Sequence, residues 1–171
     1  MADEKNVQVR LAARPEGMPA AEHWKITEEP VPELTGEGQV LVRVAYVSLD
    51  PAMRGWVRDG PSYIEPVGVG DVMRAGGVGT VAASNHPDFS EGDQVVGLTG
   101  VQKYAVVDGK ALTQVSEQMA PLPAFLGALG MPGMTAYFGL LEVGAMAKGD
   151  TVLVSGAAGA VGSVVGQIAR S

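Results

Sequence analysis

The residues with the clearest chemical potential are three glycines near the end of the sequence, Gly156, Gly159 and Gly162. They stand between a short apolar run and a segment with helical periodicity. The first backbone N–H groups of a helix have no intrahelical acceptor and carry a partial positive charge, so they attract phosphate groups. Gly159 would allow a pyrophosphate to approach the backbone closely, and Gly162 would let the helix lie close to the preceding strand. The spacing therefore predicts a pyrophosphate site at residues 159–162.

Two elements must position this site. The run Thr151 to Ser155, TVLVS, predicts a strand that is buried on both faces, as in a parallel sheet. From Ala160 onward, apolar residues recur at helical spacing. A strand, a glycine bend and a helix in this order open a dinucleotide-binding fold, although Ala157 replaces the first glycine of the usual G-x-G-x-x-G pattern. The alternative is a packed strand–turn–helix in which the glycines serve only the geometry of the turn.

The part of the sequence before residue 120 predicts a β-barrel or β-sandwich, because short apolar runs alternate with Gly, Pro and Asp turns. Its strongest predicted strand covers residues 39–48, and residues 71–84 read as a strand interrupted by glycines. Ala52 to Trp56 predict one helical turn. The segment 121–150 predicts linking helices at 122–129 and 134–143, and the segment 151–171 predicts the first strand and helix of a cofactor domain.

Composition narrows the classes of function. The sequence has 171 residues and a formal net charge of −7, which argues against nucleic acid or an anionic membrane as a partner. It contains no cysteine, which excludes disulfides and cysteine-based zinc sites, and His23 and His86 are too far apart in sequence to suggest a metal site. The beginning of the sequence lacks an apolar leader, and no apolar run reaches transmembrane length, so we expect a soluble, cytoplasmic protein.

The last predicted strand lacks a parallel neighbour, because such a neighbour returns only after the crossover helix. The residue that contacts the adenosine ribose would also lie about 20 residues beyond the glycines. We therefore expect the sequence to be part of a longer protein.

With these elements in place, the sequence resembles the medium-chain dehydrogenase/reductases, and within them the zinc-free branch that includes prostaglandin reductases and 2-alkenal reductases. The resemblance implies a GroES-like β-barrel domain at residues 1–120, followed by the opening β-α unit of a Rossmann domain. The stretches that carry it are GQVLVRV (38–44), SLDPAMR (48–54), GVGTV (77–81), FSEGDQVVG (89–97), GMPGMTAYFGLL (130–141) and AAGAVGSVVGQIA (157–169).

The resemblance also implies a reaction, the transfer of a hydride from NADPH to the β-carbon of an α,β-unsaturated ketone or aldehyde without a metal. It implies that the longer protein forms a homodimer. A quinone reductase of the same superfamily is one alternative, and a non-catalytic, truncated binding module is another. The family's catalytic Tyr and its residues that select the 2′-phosphate of NADP fall beyond Ser171, so no catalytic residue is assigned.

Several residues are implied to touch the cofactor or line the cleft that holds it. Packing at the helix entry is an equal alternative for the pair near the nicotinamide, and a solvated turn charge is the favoured alternative for Arg54. The branch usually has Tyr where this sequence has Ala52, which would widen the cleft. The implied residues are Gly159, Ala160, Val161 and Gly162 at the pyrophosphate, Met131 and Thr135 near the nicotinamide end, and Pro51, Met53 and Arg54 on the β-domain side of the cleft.

Overall fold

Seven strands form two antiparallel sheets within residues 4–60 and 62–171, the parts of the chain that the computed structural model describes. β1 and β2 pair with each other, and the other five strands follow the order β6-β3-β4-β5-β7. All these strands precede the boundary between Glu117 and Gln118, where the chain divides into two units. The strands are β1 (Lys5–Leu11), β2 (Trp24–Pro30), β3 (Gln39–Val47), β4 (Gly76–Ser84), β5 (Gln94–Leu98), β6 (Tyr104–Asp108) and β7 (Thr113–Val115).

The five-stranded sheet has a core of branched side chains. Val40 and Val42 on β3 are fully buried with Val81 on β4 and Val95 on β5. Valine is well suited to this packing, because its branched side chain fits the pleated surface of a sheet. The β3–β4 pairing shifts register twice, between residues 41 and 42 and between residues 44 and 46. Such irregularities change which face of the sheet the following side chains occupy.

A second cluster lies against the two-stranded sheet and consists of Leu11, Val57, Val67 and Met73. A short helix, α1 (Met53–Trp56), contributes Met53 and Trp56 to its edge, as expected for the helical turn predicted over 52–56. Before α1, the Ser48 hydroxyl donates to Asp50 Oδ1 at 3.0 Å.

A polar contact fastens β1 to β6. Asn6 Nδ2 donates to the carbonyl of Tyr104, and Tyr104 N donates to Asn6 Oδ1, both at 2.9 Å. The side-chain amide thus replaces a backbone partner, and Asn6 is only 2% exposed. A buried amide is stable in such a position because its donor and its acceptor are both satisfied.

The second unit is helical. A 3₁₀ segment (Leu122–Leu126) precedes α2 (Met131–Tyr137), which continues as a π-helical turn (Phe138–Val143), and α3 (Ala160–Ile168) closes the chain. The prediction of a helix starting at residue 134 is wrong at its start, because Gly130 is the N-cap and Pro132 lies in the first turn. Proline is tolerated there, since the first turn needs no intrahelical N–H donor. Gly133 is required, because a Cβ at that position would lie 1.7 Å from the carbonyl oxygen of Ala128.

The predicted strand at residues 151–155 is not formed. Residues 151–154 have no regular secondary structure and pair with no strand among the described residues. Burial on both faces is also wrong: Val152 and Val154 are half-buried, whereas Leu153 is 97% exposed. The physical reason is that a strand exists only through its backbone partners, and this segment has none here.

Candidate functional site

The N-terminus of α3 presents free backbone donors. Gly159 is the N-cap residue, and no side chain caps the helix. The first helical hydrogen bond runs from Ser163 N to the carbonyl of Gly159 at 2.9 Å. The N–H groups of Ala160, Val161 and Gly162 therefore have no acceptor within the helix. Donors of this kind bind the oxygens of phosphate groups.

The bend before α3, residues 156–159, has the shape that a diphosphate needs. Gly156 has φ of +63°, in the left-handed region that glycine adopts without strain. A Cβ on Gly162 would lie 2.3 Å from the carbonyl oxygen of Gly156, so only glycine lets the bend fold onto the helix. At Gly159 the sole heavy atom near an added Cβ is the same oxygen, at 3.2 Å. Residues 156–161 are exposed, so no side chain fills the bend.

The two residues expected near the nicotinamide lie on α2, which packs against α3. Met131 is 78% exposed, which does not support the alternative of packing at the helix entry. Thr135 is also exposed, and its hydroxyl donates to the carbonyl of Met131 at 2.7 Å.

The residues expected on the β-domain side belong to the first unit. Pro51 is exposed, whereas Met53 and Arg54 are half-buried. Arg54 Nη2 donates to the carbonyl of Gly17. Its Nη1 atom is buried with no hydrogen-bond acceptor among the described residues. Arg54 is therefore not a freely solvated turn charge.

Beside α1 lies a cavity of about 290 Å³, which we name the apolar hollow. Val57 and Met73 are 1% and 4% exposed and form its floor, and Leu49, 79% exposed, lies at its rim. Sequence reasoning found Met53 and Arg54 but missed Trp24 and Met73, because their positions in sequence give no signal that they meet. Among the residues lining the hollow are Trp24, Leu49, Met53, Arg54, Val57 and Met73.

A second cavity of about 380 Å³ contains none of the expected site residues and is lined in part by Glu4, Leu41 and Tyr104. A hydrogen bond from the Tyr104 hydroxyl lowers the pKa of Glu4, with a further contribution from Lys103. Burial raises the pKa of Tyr104, and the hydrogen bond to Glu4 adds to the effect.

The expected site residues thus form two groups, one in each unit. In the described parts of the chain, no three His, Asp or Glu side chains cluster in a way that could hold a metal ion. No helix within these parts is long and apolar enough to cross a membrane.

Comparison with known proteins gives consistent relatives. A family described as the N-terminal domain of oxidoreductase matches residues 7–115. A protein of Escherichia coli (strain K12) named NADPH-dependent curcumin reductase is 46% identical over 167 residues, which cover 98% of this chain and 48% of the relative. A protein of Nicotiana tabacum named 2-alkenal reductase (NADP(+)-dependent) is 43% identical over 143 residues, covering 82% of this chain and 41% of the relative.

Solved structures agree with the sequence relatives. The crystal structure of CurA in complex with NADPH from Vibrio vulnificus is 46% identical, with a TM-score of 0.87, and the match covers 96% of this chain and 48% of that one. The chain thus spans about half the length of the curated relatives it matches.

Proposed function

Since the chain belongs to the zinc-free reductase branch of the medium-chain dehydrogenase/reductases, we propose that it is part of an NADPH-dependent oxidoreductase. The proposed reaction is reduction of the C=C bond of α,β-unsaturated ketones and aldehydes. One observation carries the proposal: the N-terminus of α3 is uncapped and open behind a glycine bend that leaves room for a diphosphate.

NADP(H) is the cofactor that we assign, because the relatives are named as NADPH- or NADP-dependent. The N–H groups of Ala160, Val161 and Gly162 would donate to the pyrophosphate, and Gly159 would leave space for it. Met131 and Thr135, exposed on the neighbouring α2, would lie toward the nicotinamide end. When bound, NADPH supplies the hydride that adds to the electron-poor β-carbon of the substrate.

The substrate class rests on the names of the relatives and on the chemistry they imply. A 2-alkenal is an aldehyde conjugated with a C=C bond, and other relatives are named curcumin reductase and prostaglandin reductase. Pro51, Met53 and Arg54 would line the cleft from the first unit, where Met53 offers an apolar contact and Arg54 a hydrogen-bond donor. We assign no residue of this chain to proton transfer.

The test is the loss of NADPH absorbance when the full-length gene product meets but-3-en-2-one, trans-2-hexenal or 1,4-benzoquinone. We expect turnover of the enone and the alkenal. Turnover of the quinone alone would replace this proposal with the quinone reductase alternative, and no turnover of any of the three would refute it.

A charge placed at the end of α3 tests the cofactor site itself. Ala160→Glu adds a carboxylate beside the free N–H groups, where it favours the helix but repels a diphosphate. We expect the KM for NADPH to rise about tenfold, the equivalent of about 1.4 kcal/mol. Gln167→Glu adds the same charge at an exposed position near the other end of α3, and should leave that KM unchanged. Equal effects of the two variants would exclude this site.

A further inference from the structure

We propose that the apolar hollow binds the hydrocarbon chain of the substrate, so that the enzyme prefers enones with a linear alkyl chain over short ones. The inference rests on the proposed function and adds a chain-binding subsite, formed within the first unit by β1, β2, α1 and the turn before α1.

The lining of the hollow fits a hydrocarbon. Its floor, Val57 and Met73, belongs to the second core cluster, and Trp24 and Val101 pack on the same cluster. Arg54 is the one charged residue of the lining, and a long Arg side chain can line apolar space with its methylene groups. A ligand in this hollow would therefore meet mainly carbon atoms.

The position of the hollow connects it to the expected reaction site. Leu49, Met53 and Arg54 line it, and all three belong to the SLDPAMR stretch that the resemblance places at the cleft. Leu49 is 79% exposed at the rim, where a bound alkyl chain would cover it and gain the free energy of apolar burial. A substrate held by this stretch could thus direct its chain into the hollow.

Size selects the occupant. A volume of about 290 Å³ lies at the lower end of small-molecule sites, which span about 300–1,000 Å³. A protein partner needs about 800 Å² of surface on each side for a stable interface, far more than this hollow offers. The occupant is therefore a single chain of a small molecule and not a second copy of the protein.

The experiment compares kcat/KM for but-3-en-2-one and non-3-en-2-one, using the full-length gene product and NADPH. Each buried CH₂ group is expected to raise kcat/KM about fourfold, so the longer enone should be preferred by well over tenfold. Val101→Phe fills the hollow and should lower this preference at least tenfold. Val69→Phe makes the same change at a position that is 58% exposed and outside the hollow, and should preserve the preference.

Two further measurements keep the outcome decisive. If Val101→Phe fails to fold, Leu49→Trp at the exposed rim covers the entrance and should reduce the preference in the same direction. If the wild-type protein turns over neither enone, the proposed function fails, and calorimetric binding of the saturated ketone nonan-2-one then tests the hollow alone. Binding that is lost in the filled or covered variant supports the hollow. An unchanged preference, or nonan-2-one binding that is absent or unaffected by the variant, overturns it.

Discussion

Replacing Gly162 by alanine should damage both the stability of the second unit and its hold on the cofactor. An added Cβ would lie 2.3 Å from the carbonyl oxygen of Gly156 and 2.9 Å from its carbonyl carbon. These are backbone atoms, so the bend must move away from α3. Gly166→Ala is a matched control on the same helix, because nothing lies within 4 Å of a Cβ built there.

The two variants differ mainly by this steric conflict. Both gain about 1 kcal/mol from the higher helix propensity of alanine, and this gain cancels in the comparison. Overpacking typically costs about 1–3 kcal/mol. We therefore expect Gly162→Ala to be about 1–3 kcal/mol less stable than Gly166→Ala, with each kcal/mol moving Tm by about 2–4 °C.

Thermal unfolding followed by circular dichroism measures the stability difference, and NADPH titration measures the second effect. Gly162→Ala should weaken NADPH binding, because the displaced bend no longer presents the N–H groups of residues 160–162 together. Gly166→Ala should bind NADPH as the wild type does. Equal Tm values and equal affinities for the two variants would refute the role given to Gly162.

Three further predictions concern particular residues. Asn6→Leu should lower the free energy of unfolding by about 2–4 kcal/mol in denaturant titrations, because it strands the buried N–H and carbonyl of Tyr104; wild-type stability would contradict this. Ala145→Gly should raise it by about 1 kcal/mol, because Ala145 has φ of +48°, and a lower stability would argue against strain there. Because the pKa of Tyr104 is raised by burial, its contribution to stability is present below the ordinary pKa of about 10 and is lost as pH rises through the raised value. Tyr104→Phe should therefore lose less stability between neutral and strongly alkaline pH than the wild type, and parallel pH profiles would count against this coupling.

The front β-domain and the family are confirmed, because their signals are local. The strand predicted at 94–98 has those bounds in the structure, and the one predicted at 39–48 ends one residue earlier, at Val47. In both, a turn rich in glycine and acidic residues precedes a run of valines, so the elements can be recognised without knowledge of their neighbours.

The errors arise where structure depends on distant partners or on subtle capping. The strand expected at 151–155 needs a neighbouring strand, which composition cannot supply. The stretch Gly130 to Gly133 read as a helix breaker, yet an N-cap glycine followed by an early proline starts a helix. The apolar hollow joins Trp24 and Met73, and no local pattern connects positions so far apart.

The π-helical turn at Phe138–Val143 holds one more residue than an α-helical turn would need. Deleting a single residue within it would let the turn close as ordinary α-helix and would rotate everything that follows by about 100°. The side chains after residue 143 would then leave the second unit by a different path, while Met131 and Thr135 stayed in place. A length change of one residue here thus alters where the chain goes next without altering the helix that carries the expected nicotinamide contacts.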